Sequence, residues 1–377
     1  MKVSCLQENL AHGLGIVSRA VSTRSTLPVL GNVLLVTDQG RLKLSATNLE
    51  IVITCWIGAK VEREGSFTVP ARTISDLVST LPAERVSLAL EAKTKTLHLS
   101  SARTEANIKG IDAEEFPLVP ESGEIGRLSI GAETLRTMIN QVAFAAATDD
   151  TRPTLTGVLT RISGRELIMA ATDGFRLSVR SVELPADAEQ DLEVIIPARA
   201  LMELARIIDE DVEEIHISMP EGRNQVIFEM ENLVLVTQLI DGNFPDYNPV
   251  IPKRFQTRAV LNAGEFAKAC KLAEIFAREA SHTARVKIKP GNEMMPGYAT
   301  ISATSSETGD NVAQIDASVE GGEIEIAFNV RYMSQVLNVI GTPQVAVETT
   351  RSNEPGVVKP VGEEGYVHII MPMHFGR

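Results

Sequence analysis

Apolar residues recur at helical spacing in three similar settings. They are Ile74, Leu77, Val78 and Leu81 within FTVPARTISDLVSTLP, then Leu201, Leu204, Ala205 and Ile208 within IIPARALMELARIID, then Met333, Val336, Leu337 and Ile340 within IAFNVRYMSQVLNVI. Spacing of i, i+3, i+4 and i+7 predicts one buried helical face. A short apolar run precedes each, as in Val194–Ile196, whose β-branched residues suit a strand. Pro197 then ends the strand and fits the first helical turn. An arginine stands in that turn each time, at Arg72, Arg199 and Arg331. From Ile74 to Leu201 is 127 residues, and from Leu201 to Met333 is 132. A repeat of that length predicts three domains of one fold, not a solenoid of short units.

The rest of the chain follows the same period. A strand at Lys2–Cys5 leads to Leu6, Leu10, Leu14, Val17 and Val21, which predict a further amphipathic helix. Gly13 and Gly15 weaken it by about 1 kcal/mol each relative to alanine. The run VLGNVLLVTD reads as a strand, and RLKLSATNLEIVITCWIG as a hairpin turning near Thr47–Asn48. Alternation in VSLALEAKTKTLHLSS fits antiparallel strands with one wet face. IDAEEFPLVP closes the first third. The second third repeats the order, with Leu135, Met138, Ile139 and Val142 as its first helix. Pro153 follows Pro28, and Thr172 follows Thr47, by 125 residues each, and IDGNFPDYNPVIP repeats the boundary. In the last third AGEFAKACKLAEIFARE turns Phe266, Cys270, Ala273 and Ala277 inward, and ATISATSSETGDNVAQIDA replaces the hairpin. The expected plan is α+β: three tandem domains, each with two helices and antiparallel sheets. Their limits are read as 1–122, 123–253 and 254–377.

The chain has 377 residues and 44% hydrophobic content, enough for three separate cores. Its formal net charge of −13 alone argues against nucleic acid, because DNA affinity rests on lysine and arginine at phosphates. An acidic shell around a basic channel would still admit DNA, so the placement of the basic residues decides. Three scattered cysteines and a polar N-terminus fit the cytoplasm and give no disulfide or zinc framework. No run is long and apolar enough to span a membrane.

Tests for chemistry return little. There is no Walker loop, and the glycines after His12 sit inside a helix without a dinucleotide fingerprint. None of the six histidines has a partner at metal-ligand spacing. No nucleophile elbow is present. No catalytic residue, metal or cofactor is expected. Two sets remain. Arg24, Arg72, Arg152, Arg199, Lys268, Lys271 and Arg331 fall at helix starts or on polar helix faces. They are either solubilising charges or, if the repeats curve, a lining for a phosphate backbone, which carries no sequence information. TDGFRL at Thr172–Leu177, the FPDY segment and the apolar C-terminus are either turn and core or an exposed groove for a partner peptide.

The stretches TLPVLGNVLL, FTVPAR, EEFP, ATDGFRLS, IIPARALMEL, GNFPDY, FNVRYMSQVLN and the terminal IIMPM carry a resemblance over nearly the whole chain. It resembles the bacterial β sliding clamp family, the processivity subunits of DNA polymerase III. The resemblance implies a head-to-tail homodimeric ring around duplex DNA, with helices lining the hole. It implies a pocket between the second and third domains for short motifs of the polymerase alpha subunit, the clamp loader delta subunit, translesion polymerases and repair proteins. By motif position the pocket would include Leu155, Thr172, Gly174, Phe175, Arg176, Leu177 and Pro245. Asn329, Tyr332, Ile370, Met371, Pro372 and Met373 would complete it. Arg24, Arg72, Arg152 and Arg199 would face DNA, and Ile108, Ile275 and Phe276 would lie at the subunit contact. Phe175 stands where this family often has histidine, and Phe375–Arg377 extend the usual ending. Two other classes compete with this reading: an enzyme using Asp173 and Arg176 as an active pair, and a protein-only scaffold.

Overall fold

The computed structural model describes residues 1–22, 27–119, 128–188, 191–220 and 224–374. Its described residues contain the repeated pattern in full. Helices α1 (Gln7–Val17), α3 (Ala132–Val142) and α5 (Ala263–Ala277) are the first helices of the three thirds. Helices α2 (Ala71–Thr80), α4 (Ala198–Ile207) and α6 (Val330–Val339) are the second, each 10 residues long. The anchors of the helical stripes are buried, with Ile74, Val78, Leu204 and Val336 at 0% exposure. Asn329 caps α6, its Oδ1 accepting from the Arg331 and Tyr332 amides, which satisfies donors that a helix start leaves without partners.

The chain forms two compact units, Met1–Thr134 with Glu203–Leu239, and Leu135–Met202 with Ile240–Arg377. Each is built on a 12-stranded sheet whose described pairings are antiparallel. In the first unit the strand path begins at Thr104–Lys109 and continues through Thr96–Ser101, Arg85–Glu91, Lys2–Leu6 and Ile51–Arg63. It passes on to Leu233–Gln238, Gln225–Met230, Glu214–Ser218 and Leu128–Gly131. In the second unit the path runs from Leu192–Pro197 through the strands of residues 157–183 to Tyr366–Ile370, then to the strands of the last third. The central third therefore gives four strands to each sheet. The reason is local: Leu233–Thr237 pairs with Ile51–Cys55, and Arg176–Arg180 pairs with Tyr366–Ile370, so hydrogen bonding continues past each domain end.

Three expectations need correction. Leu6 ends a strand opposite Arg85 and is exposed, so α1 starts at Gln7 and stops before Val21. Pro28–Gly31 is a short 3-10 turn, not strand, because Pro28 lacks an amide for a ladder and fixes its own φ. Pro153–Thr156 repeats that turn in the central third. Gly13 also has a packing role: a Cβ there would lie 2.7 Å from Leu44 Cδ1, so the missing side chain lets α1 approach the sheet.

Candidate partner-binding site

The expected pocket residues lie on the second unit, around one turn. Thr172 ends a strand and Arg176 begins the next. Thr172 Oγ1 accepts from the Gly174 amide at 3.0 Å, and Asp173 Oδ1 accepts from the Phe175 and Arg176 amides at 2.9 and 3.1 Å. These side-chain acceptors fold the turn from inside. Gly174 has φ +91°, a left-handed conformation that favours glycine. The guanidinium of Arg152 packs beside it, and Arg152 Nη2 donates to the Asp173 carbonyl at 3.2 Å.

Arg176 is the centre of this surface and is 7% exposed. Its Nε donates to Asp173 Oδ2 at 3.0 Å, Nη2 to the Phe144 carbonyl at 2.7 Å, and Nη1 to Gln335 Oε1. Its guanidinium lies 4.3 Å from the Tyr332 ring centroid and 5.3 Å from that of Phe144. Paired and stacked in this way, a buried guanidinium acts as a fixed structural plate. The Asp173–Arg176 pair is thus occupied with the turn itself, which removes the geometric basis of an active pair. Burial raises the Tyr332 phenol, with Asp173 adding to the effect, so it stays protonated.

The C-terminal segment continues this ladder. Ile370 lies opposite Arg176, the Met371 amide donates to the Phe175 carbonyl at 2.9 Å, and the Met373 amide to the Ala327 carbonyl at 2.8 Å. The structure thereby brings together Arg152, Thr172–Leu177, Tyr332 and Ile370–Met373. Phe175 is 61% exposed and Met371 37%, which leaves apolar surface beside the Arg176 plate. Other expected members are interior. Leu177 and Ile369 share a core cluster with Leu159, Tyr247 and Val357, and Leu155 and Ile370 are also buried. Pro245 is exposed between Phe244 and Tyr247, which pack on that cluster. Asn329 serves α6 as its cap.

The remaining expectations divide. Arg24 and Phe375–Arg377 fall outside the described residues. Arg72 and Arg199 are exposed in the first turns of α2 and α4, with Arg72 Nε 3.7 Å from Asp76. Arg152, grouped with them by sequence, is placed at the Thr172–Leu177 turn. Ile275 is 52% exposed on α5, Phe276 packs partly on the core, and Ile108 is 5% exposed and already inside its own unit. Sequence reasoning missed Phe144, Gln335, Ser178 and His368. Gln335 follows Tyr332 by one helical turn, a usable signal; the other three become neighbours only through strand pairing and packing.

Comparison with known proteins gives a consistent answer. Residues 1–120, 129–246 and 248–374 match the DNA polymerase III beta subunit N-terminal, central and C-terminal domains. The chain is 32% identical to the beta sliding clamp of Staphylococcus epidermidis, covering 99% of both. Against that of Staphylococcus aureus it is 32% identical over 94% of each. Its structure matches the DNA polymerase sliding clamp of Bacillus subtilis at TM-score 0.92 and 30% identity, covering 100% of both chains. It matches the Pseudomonas aeruginosa sliding clamp solved with griselimycin at TM-score 0.90 and 30% identity, again over 100% of both. The chain belongs to the DNA polymerase III beta subunit family, the sliding clamps, which are non-catalytic processivity factors of that polymerase.

Proposed function

We propose that two copies of this chain close head to tail into a ring around duplex DNA in the cytoplasm and tether the replicative polymerase there. One observation carries the closure. Where the first third ends its hairpin, Val52 pairs with Val236 of the central third, and at the equivalent place Leu177 pairs with Ile369 of the last third. In the last third the equivalent residue is Asp310, opposite Thr304 as Val52 is opposite Thr47. By the same repeat, the equivalent of Val236 is Asn107, on the edge strand Thr104–Lys109. Among the described residues, Thr104–Lys109 has one side without a partner strand, and the stretch 309–316 pairs only with Tyr298–Ser305 before residues 317–321 also pair with Thr257–Leu261. A second copy would supply each, Asp310 of one copy meeting Asn107 of the other, and such heterologous contacts make a ring when they close. Exposed Leu272 and Ile275 on α5, and Val312 on the same strand as Asp310, would add apolar area to that contact.

In this reading Arg24, Arg72 and Arg199 face phosphates without reading bases, while encirclement supplies retention. Domain limits after residues 122 and 253 complete the assignment. Loading onto nicked circular DNA, followed by linearisation with a single-cutting nuclease, tests encirclement. Protein should stay on the circle and leave the linear form; equal loss from both would overturn the ring.

The Arg176-centred surface, with Phe175, Met371 and the Arg152 rim, is proposed as the pocket for short motifs of the polymerase alpha subunit, the clamp loader delta subunit and other clamp-binding proteins. The griselimycin complex of the Pseudomonas aeruginosa relative supports a ligand site on this family, and griselimycin serves as a second probe. Met371→Asp should lower alpha-subunit peptide binding at least tenfold while the dimer persists, since an added charge must be desolvated beside apolar surface. Unchanged affinity by fluorescence anisotropy would remove the assignment. Leu177 is unsuitable for this test, because its side chain belongs to the core.

A further inference from the structure

We infer that His368 is a positioning residue for the partner-binding surface, bracing Phe144 and the Arg176 plate from beneath. The inference rests on the pocket reading above. His368 is fully buried and lies directly opposite Ser178 in the strand pairing. Its Nδ1 is 2.6 Å from Ser178 Oγ, and Ser178 stands two residues beyond Arg176 on the same strand. The imidazole stacks on the Phe144 ring with centroids 5.3 Å apart and planes 28° apart. Phe144 in turn makes two contacts with Arg176, through its carbonyl and through its ring face. The same hydroxyl of Ser178 is 3.5 Å from the Tyr366 hydroxyl, which donates to the Gln141 carbonyl at 3.0 Å. Gln141 lies on α3, three residues before Phe144. The imidazole therefore reaches the Phe144 segment by two routes, one by stacking and one through hydroxyls.

The chemistry explains why position 368 would hold a polar group. His368 Nε2 is buried with no hydrogen-bond partner among the described residues, which carries a desolvation cost that an aliphatic residue at this core position would not have. Imidazole offers an aromatic face for Phe144 and a nitrogen for Ser178 at once. Without it, Ser178 loses its closest partner and Phe144 its ring contact, and both neighbours of Arg176 loosen. Arg176 does not touch His368 through a described hydrogen bond, so the effect on a bound partner is transmitted.

The experiment uses the full-length dimer and two readouts. One is anisotropy of a labelled peptide from the polymerase alpha subunit. The other is the 1H–15N signal of the Arg176 side chain, whose Nη protons should exchange slowly while bonded to Gln335 and Phe144. His368→Ala should weaken the peptide about tenfold and speed Arg176 Nη exchange. Ser178→Ala, a smaller change that keeps the core filled, should move both readouts in the same direction and carries the test if His368→Ala does not fold. His368→Asn, which keeps a polar atom for Ser178, should restore part of both. Met371→Asp should abolish the peptide and leave the Arg176 signals as they are. Unchanged Arg176 exchange in folded His368→Ala and Ser178→Ala would overturn the brace. Loss of Arg176 protection in those variants, in a protein whose wild type binds no peptide, would uphold the brace and remove the pocket.

Discussion

At the scale of single residues, burial changes what familiar groups do. Cys5, Cys55 and Cys270 are free and buried. Burial pushes the Cys5 and Cys55 thiols up to about 11 and raises Cys270 as well, so they behave as small apolar residues, not nucleophiles. His368 is shifted the other way. Burial, with a smaller contribution from the Arg176 charge, pushes its imidazole down to about 3, against an ordinary 6.5. The folded state thus binds fewer protons than the unfolded chain between those values. Stability from keeping His368 neutral is present in full above pH 6.5 and is lost as pH falls towards 3. The expected contribution is a steady loss of stability between about pH 6 and pH 3, and none below that window. Urea unfolding at pH 5.0 and 7.5 should give a smaller difference for His368→Asn than for wild type; equal differences would show that another group dominates.

At the scale of elements, the turn at Thr172 is one copy of a repeated device. At Thr47 the hydroxyl accepts from the Leu49 amide at 3.0 Å, and Asn48 Oδ1 accepts from the Glu50 and Ile51 amides at 3.0 and 2.8 Å. These are the bonds that Thr172 and Asp173 make, shifted by 125 residues. Leu49 occupies the place of Gly174 and has φ +79° with an exposed side chain. A leucine held left-handed costs about 1 to 2 kcal/mol, whereas glycine does not bear that cost. Leu49→Gly should therefore stabilise the chain by about 0.5 to 1 kcal/mol, after allowance for glycine's freer unfolded state. Gly174→Ala should do the reverse and also press on Arg152, whose Nη1 would lie 3.2 Å from the new Cβ. Chemical denaturation of both variants checks the pair of signs. In the last third Ser305 Oγ accepts from the Glu307 and Thr308 amides at the spacing that Asn48 and Asp173 use, pairing runs on to Ser305–Gly309, and the span from Thr304 to Asp310 is one residue longer than that from Thr47 to Val52.

At the scale of the whole molecule, the three strand junctions differ in chemistry. The junction within the first unit pairs Val52 with Val236 and Ile53 with Leu235, and that within the second pairs Leu177 with Ile369 and Val179 with Val367. The proposed junction between copies would instead pair Asp310 with Asn107 and Asn311 with Ala106. Polar edges pair less firmly than apolar ones because their groups remain well solvated when apart, so the ring should open between copies. Asn107→Cys with Asp310→Cys should give a covalent dimer on mild oxidation, because opposed residues in a ladder bring Cβ atoms within disulfide reach. Shifting the first cysteine one residue along, to Ile108, should lower the yield, because its side chain points to the other face. Equal yields from both pairs would reject the register. The charge of −13 does not conflict with this arrangement, since exposed arginines recur at the starts of α2, α4 and α6.

What the sequence determined by itself was the periodic part. Helical stripes, β-branched runs, proline stops and the 125- to 132-residue repeat are local or self-similar signals, and they located six helices and three copies of one fold. The TDGFRL turn was legible for the same reason, since its residue types form its own hydrogen bonds. Tertiary structure alone decided which residues the turn gathers. Pairing of Arg176–Arg180 with Tyr366–Ile370 joins positions 186 to 194 residues apart and places Ser178 opposite His368. It also buries Leu177 and Ile370 while leaving Phe175 and Met371 in solvent. Neither partner carries a mark of the other in its neighbouring residues, because strand register is set by long-range hydrogen bonding and by which face reaches the core.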